Sequence, residues 1–405
     1  MIAQSIKENQ HLARIGMVTF LGDFISLFAI LLLLEKSGFG PEYAGISIVF
    51  QAAAYALSAL SYPYLSSKFN TKQLIILSQL FSLFFACIIL IMYLIGKIEL
   101  VPMIASTTAL TFCYQIFDNA KNHHSKLLNL TNVQHANNES QILSYFFGSQ
   151  TIGPIISVIL LKVFPVWIPL VFDIITFIIC IIMAFRLQIV NVVIVGSSIL
   201  KPLIYIWKYP KLRNITLLRS IGFWFGAGIF DYLMFPQIQN SYGISIINVA
   251  FVYSALGFGA SLGIALIRNP LSGRPSVLAR IPIWGGACIG NLGMAAAMIM
   301  FWNQKTFMMC LLVTILHGIF MGILAASSQS IRKIESTPEQ FPEIISLEIL
   351  LGRLTAFFVP LVIFSSIIKT PNLFEIFKYI PAVSSLVLAL IYIFCFGRSE
   401  SKAKK

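Results

Sequence analysis

Twelve apolar stretches, each about twenty residues long and separated by short polar hinges, run through the chain almost end to end. Met17–Leu34, Leu74–Ile95, Trp167–Phe185 and Ile380–Phe396 are long enough to cross ~30 Å of hydrocarbon. Their apolar character is continuous and does not alternate, so they do not read as barrel strands. A segment that cannot hydrogen-bond to lipid must satisfy its backbone internally, which leaves the helix. The pattern predicts an all-α membrane protein with twelve transmembrane helices. They lie near residues 14–34, 43–66, 73–95, 100–122, 140–162, 166–186, 213–235, 246–267, 281–302, 306–330, 343–367 and 376–396.

The longest break is the basic connection from Arg186 to Arg213, which divides the chain into six spans and six. The expected organisation is a six-helix half over 1–190, a cytoplasmic linker over 191–212 and a second six-helix half over 213–405. Duplicated halves of this kind suggest a transporter. Two further polar connections, Asn122–Glu139 and Ile331–Pro342, follow the fourth and tenth spans at equivalent places.

Composition agrees: 58% of residues are hydrophobic and only 11% are charged, which fits no soluble class. The net charge of +13 suggests nucleic acid only until its distribution is mapped. With both termini inside, cytoplasmic segments carry twenty Lys and Arg, whereas outer loops carry six: Lys36, Lys97, Lys162, Lys305, Lys369 and Lys378. The excess is the positive-inside signature, so the charge is topological and no nucleic-acid partner is expected. The Lys402–Lys405 tail can add some membrane-surface attraction. The first span carries Asp23 at its middle and has no small-residue cleavage site after it, so it reads as a retained helix.

All six cysteines fall inside expected spans without metal-ligand spacing, and packing is their expected role. His123 and His124 are adjacent on a cytoplasmic segment, where their spacing puts them on different faces and disfavours a metal site. There is no P-loop and no enzyme signature, so neither catalytic residues, cofactor nor metal is expected.

Ionisable groups in hydrocarbon are costly and default to a functional reading. Asp23 sits near the midplane with Thr19 and Ser26 on one helix face, and is the first candidate for carrying a proton. Thr107, Thr111, Gln115, Asp118 and Asn122 form a polar stripe along the fourth span, and Gln51, Tyr55, Ser58 and Tyr62 form another along the second. Both stripes suit a wet pathway better than lipid. Gln51, Tyr55, Thr111 and Gln115 are therefore candidate substrate contacts, while Asp118 near the cytoplasmic end is assigned a structural or gating role.

In the second half, Arg219, Asp231, His317, Glu348 and Arg353 stand out. Arg219 and Arg353 can attract a carboxylate-bearing substrate through the guanidinium fork, or neutralise acids across the bundle. His317 at mid-depth is a candidate proton relay, set against a packed histidine. Glu348 and Arg353 are five residues apart, about 140° around a helix, so each needs a partner on another helix. Gly259 with Gly263, Gly286 with Gly290, Gly318 with Gly322 and Gly222 with Gly226 have the spacing that lets helices approach closely in lipid.

Leu21-Gly22-Asp23, Ile152-Gly153-Pro154, Phe172-Asp173 and the run Lys208 to Arg213, taken with the layout, resemble the major facilitator superfamily. The chain looks most like the branch that contains the enterobactin exporter. The resemblance implies a monomeric secondary transporter of a bacterial inner membrane, multi-pass with both termini cytoplasmic, whose substrate site lies at midplane between rocking halves. It also implies efflux of a small amphiphilic or metal-chelating molecule, such as a siderophore, by proton antiport. Gly153 and Pro154 match the heart of the antiporter motif, and Asp173 is expected to be structural. Ser67 stands where the family's loop after the second span carries aspartate, which departs from the usual charge relay. Phe223 to Gly228 also look like bacterial lysophospholipid transporters, so an importer is the nearest rival. A non-transporting membrane sensor is the rival of a different class.

Overall fold

The computed structural model describes residues 2–37, 41–128, 132–189, 216–217, 238, 242, 246–267, 283–354 and 378–403. The linker over 191–212, most of the span expected at 213–235, with Arg219 and Asp231, and all of 355–377 lie outside the described residues. Among the described residues the secondary structure is helical, without strands. The helices are α1 (Ile2–Lys36), α2 (Pro41–Lys68), α3 (Thr71–Leu94), α4 (Leu100–Leu127), α5 (Asn132–Val163), α6 (Trp167–Ala184), α7 (Ile246–Ile267), α8 (Ile283–Phe301), α9 (Phe307–Glu335), α10 (341–354) and α11 (Ile380–Ala403). Seven stretches of these helices are long and apolar enough to cross a membrane: Gln4–Leu34, Thr71–Leu94, Leu100–Leu127, Asn138–Val163, Trp167–Ala184, Val249–Ile267 and Phe307–Ile334. The chain is a multi-pass membrane protein.

Local chemistry explains the helix ends. Only Phe69 and Asn70 separate α2 from α3. The Asn70 side chain accepts from the Gln73 amide at 2.9 Å, and the Gln73 side chain accepts from the Asn70 amide at 3.0 Å. That reciprocal box satisfies two donors which would otherwise be orphaned at the helix start. The stretch expected as a loop after the second span is thus mostly helix. Ser67 donates to the Tyr64 carbonyl of its own helix at 2.7 Å. At its other end α3 closes through Gly96, whose φ of 69° lets Lys97 N–H reach the Met92 carbonyl at 3.1 Å.

The helices form two compact units. One comprises Met1–Thr131, Ile152–Tyr209 and Ser336–Arg353; the other comprises Asn132–Thr151, Pro210–Glu335 and Leu354–Lys405. In the first unit α1 packs on α6, α3 on α4 and α6, and α2 on α4. The second part of α5 joins it, with Ser157 donating to the Ile25 carbonyl at 2.7 Å and Gly153 seated on Phe24. Pro154 follows within α5 and is buried.

In the second unit α9 packs on α7 and α8, and α8 on α11. The expected glycine pairs are the contact. A Cβ on Gly259 or Gly263 would strike the carbonyls of Ile315 or Ile319, and one on Gly322 would strike that of Ala260. Backbone approaches of this kind replace the hydrophobic driving force that helices lack in lipid. Large apolar side chains such as Phe81, Phe84, Ile91, Ile178 and Ile182 remain exposed, as a lipid-facing surface requires.

The connection expected to be a polar cytoplasmic segment after the fourth span differs. Helix α4 continues to Leu127, and Lys121 through Lys126 are buried. Tyr62 hydroxyl and His123 Nδ1 are 3.1 Å apart, Thr71 Oγ1 and His124 Nδ1 are 2.8 Å apart, and Ser125 donates to Asn9 at 2.7 Å. These polar residues stay inside because side chains of α1, α2 and α3 satisfy them, which a hydropathy pattern cannot reveal.

Candidate functional site

The first unit holds a row of aromatic rings with a cation at each end. Arg353, on α10, lies over the Tyr55 ring of α2 with its guanidinium carbon 3.6 Å from the centroid. Tyr55 meets Tyr114 of α4 edge to face, with centroids 6.3 Å apart and planes at 88°. Tyr114 in turn meets Phe20 of α1 at 5.6 Å. Lys121 Nζ sits 4.4 Å from the Phe20 centroid and donates to Asp118 at 2.6 Å. Three helices thus supply one continuous strip of ring faces and edges, and α10 adds the cation at one end. Its cations are held by ring quadrupoles and, at one end, by a carboxylate.

Asp23 is one turn beyond Phe20 on α1. Its Oδ2 is buried without a hydrogen-bond partner, and the carboxyl lies within electrostatic reach of Tyr55, Tyr114 and Asp173. Asp173, on α6, is buried, with the Thr176 hydroxyl 3.4 Å from Oδ1. Gly22 makes this approach of α1 and α6 feasible, because a Cβ there would collide with Thr176 and Asp173. The neighbours expected on Asp23's face are occupied locally. Thr19 donates to Cys180 at 3.1 Å and approaches Gln79 at 3.4 Å, while Ser26 donates to the Asp23 carbonyl at 3.3 Å.

The remaining sequence candidates divide. Arg353 and Tyr55 come together with Asp23. Thr111 donates to the Thr107 carbonyl at 2.9 Å, and Gln115 donates to Asn119 at 2.9 Å, so both bond within α4. Asp118 also accepts from Asn122 at 3.1 Å. Gln51 is half-buried on α2, four residues before Tyr55, and Glu348 is buried on α10. His317 belongs to the second unit, where it is buried on α9 beside the Met294 backbone of α8. Tyr114, Phe20 and Lys121 were not singled out in sequence. The pairing of Lys121 with Asp118 was visible as i, i+3 spacing of opposite charges. The aromatic row has no such signature, since its rings come from three separate helices.

Five cysteines are described: Cys87 is half-buried, and Cys113, Cys180, Cys288 and Cys310 are buried as free thiols. Among the described residues no group of three or more metal-ligating side chains comes together.

No protein-family model matches the chain, and no curated protein matches its sequence. Solved structures do match in fold. The human organic anion transporter MFSD10 (TETRAN) superposes with a TM-score of 0.74 at 12% identity, covering 95% of this chain and 99% of that one. A variant of the E. coli fucose:proton symporter FucP gives 0.70 at 14% identity, covering 96% and 98%. A bacterial homologue of the iron transporter ferroportin, in an outward-facing state, gives 0.67 at 13% identity, covering 95% and 98%. The chain has the major facilitator fold.

Proposed function

We propose that the protein is a proton-coupled secondary transporter of a small anionic amphiphile. The observation that carries this reading is the stacking of Arg353 on Tyr55, within a row of aromatic rings and beside Asp23. A guanidinium matches a carboxylate through its planar set of donors, and the neighbouring rings offer apolar faces to the rest of the molecule. Arg353 and Tyr55 are the proposed substrate contacts, with Gln51 on α2, Thr111 and Gln115 on α4, and Arg219 in the second sequence half. Asp23 is the proposed proton carrier. Half-buried near Asp173, with one carboxylate oxygen shielded, its carboxyl is suited to gain and lose a proton as the substrate moves. His317 is a second protonatable group. Glu348 and Asp118 are assigned to structure or gating, as are Gly153 and Pro154.

The fold is the one that the organic anion transporter, the ferroportin homologue and the fucose:proton symporter share, and anion transport and proton coupling are both represented among them. Twelve spans with both termini cytoplasmic, supported by the hydropathy pattern and the charge asymmetry, complete the proposed architecture, and the sequence resemblance adds a monomer in a bacterial inner membrane. Within this reading, export of a metal-chelating molecule such as a siderophore rests on the sequence resemblance to the enterobactin-exporter branch.

The test is flux in proteoliposomes with an imposed proton gradient. Uphill movement of an anionic amphiphile, lost when the gradient is collapsed, is the expected outcome. The side on which substrate accumulates distinguishes an exporter from a lysophospholipid importer. Gradient-independent binding without flux would favour a sensor and overturn the proposal.

A further inference from the structure

Away from the aromatic row, the first unit has a cavity of about 290 Å³ between the start of α1 and the exit of α6, lined by Gln4, Lys7, Glu8, His11, Arg186 and Gln188. Its wall is built and not merely draped. Lys72 Nζ donates to the carbonyls of Phe185 and Leu187 at 2.6 and 2.8 Å, which fixes the turn that bears Arg186. Gln188 N–H donates to Glu8 Oε1 at 2.7 Å, and His11 Nε2 lies 2.9 Å from the Met183 carbonyl. The Glu8 carboxylate is further engaged by His124 at 3.4 Å. Neither Lys7 nor Arg186 pairs with an acid among the described residues. Two exposed cations therefore meet at one cavity whose acidic member is already occupied by an amide and a histidine. Ile178, Ile182 and Phe185 of the α6 exit form an exposed apolar edge leading up to it.

We propose that this cavity binds the phosphate of an anionic phospholipid headgroup, with Lys7 and Arg186 as its cations and the exposed α6 edge beneath the acyl chains. A phosphate diester offers two unesterified oxygens, one for the ammonium and one for the guanidinium fork. The same chemistry suits a soluble phosphate ester, but only a lipid also uses the apolar edge. Each basic side chain near an anionic membrane surface contributes affinity of the order of a fivefold change, so removing both weakens binding by about 25-fold.

The full chain, purified in neutral detergent, is titrated with phosphatidylglycerol, and bound lipid is counted by native mass spectrometry. The wild type is expected to retain one phosphatidylglycerol more than K7Q/R186Q, and to retain no such extra molecule of phosphatidylcholine. The charge-preserving K7R/R186K should keep most of the retention, which separates binding from misfolding. K97Q/K305Q removes two exposed lysines elsewhere and should leave retention unchanged. Competition by glycerol 3-phosphate or inorganic phosphate at equal concentration would assign the cavity to a soluble phosphate and overturn the lipid. Equal phosphatidylglycerol retention by the wild type and K7Q/R186Q would overturn the site altogether.

Discussion

Arg353 lies over the Tyr55 ring, its guanidinium carbon 3.6 Å from the centroid, which joins α10 to α2 inside one unit. An arginine at membrane depth needs compensation. Here part of it comes from a ring face, whose quadrupole attracts the charge. Tyr55→Leu should therefore weaken binding of an anionic ligand about 3- to 30-fold, the range of an exposed to a desolvated cation–π contact. Tyr55→Phe, which keeps the ring face, should stay near wild type. Equilibrium binding to the detergent-purified variants checks both.

Asp23 follows Gly22 on α1, where an added Cβ would strike Asp173 of α6, and the two carboxyls interact electrostatically. Asp23→Asn should abolish gradient-driven accumulation while leaving passive exchange measurable, because the amide keeps the shape but does not titrate. Full proton-driven transport by this variant would remove Asp23 from the coupling role. Asp173→Asn distinguishes a neighbour that tunes Asp23 from one that only packs: tuning shifts the pH profile of transport, and packing leaves it in place.

Lys333 and Glu139 form an ion pair within the second unit, and both are fully buried. Removing one partner strands a charge. Lys333→Met should cost about 3 to 5 kcal/mol. Glu139→Leu on that background should recover most of the loss, as read by thermal unfolding in detergent.

The close approach of α7 and α9 makes a sharp contrast available. Gly263→Val places side-chain carbon against the Ile319 backbone and should destabilise by about 1 to 3 kcal/mol. Gly148→Ala has nothing within 4 Å of its new Cβ and should be near neutral or slightly stabilising, because helical alanine is favoured over glycine. Unfolding temperatures of the two variants decide.

Topology is tested by single cysteines in a cysteine-free background. Cysteine at Lys68 should react with a membrane-impermeant reagent only from the cytoplasm, and cysteine at Lys97 or Lys305 only from outside. All three positions are exposed, whereas Lys126 is buried and would report access poorly whichever side it faced. Reaction of Lys68 and Lys97 from the same side would overturn the span order.

Hydropathy alone places α3, α6, α7 and α8 within a few residues, because a membrane helix must be apolar over a length fixed by the bilayer. Helices α1 and α4 run further into polar sequence than that pattern suggests, since packing and not lipid covers their polar turns. The glycine pairs on α7 and α9 were readable because close backbone contact admits few residue types. Asp23 and Arg353 could be picked out one by one, since each is costly in hydrocarbon wherever it points. What each of them touches was not readable. Tyr114 looked like any aromatic residue in an apolar span, and His123 through Lys126 looked like a polar cytoplasmic segment. Folding brought Arg353, Tyr55, Tyr114 and Phe20 together from four helices, and buried His123 and His124 against Tyr62, Thr71 and Glu8. Composition records the cost of placing a group in the membrane one segment at a time, but the partner that offsets it is distant in sequence and is chosen only when the helices pack.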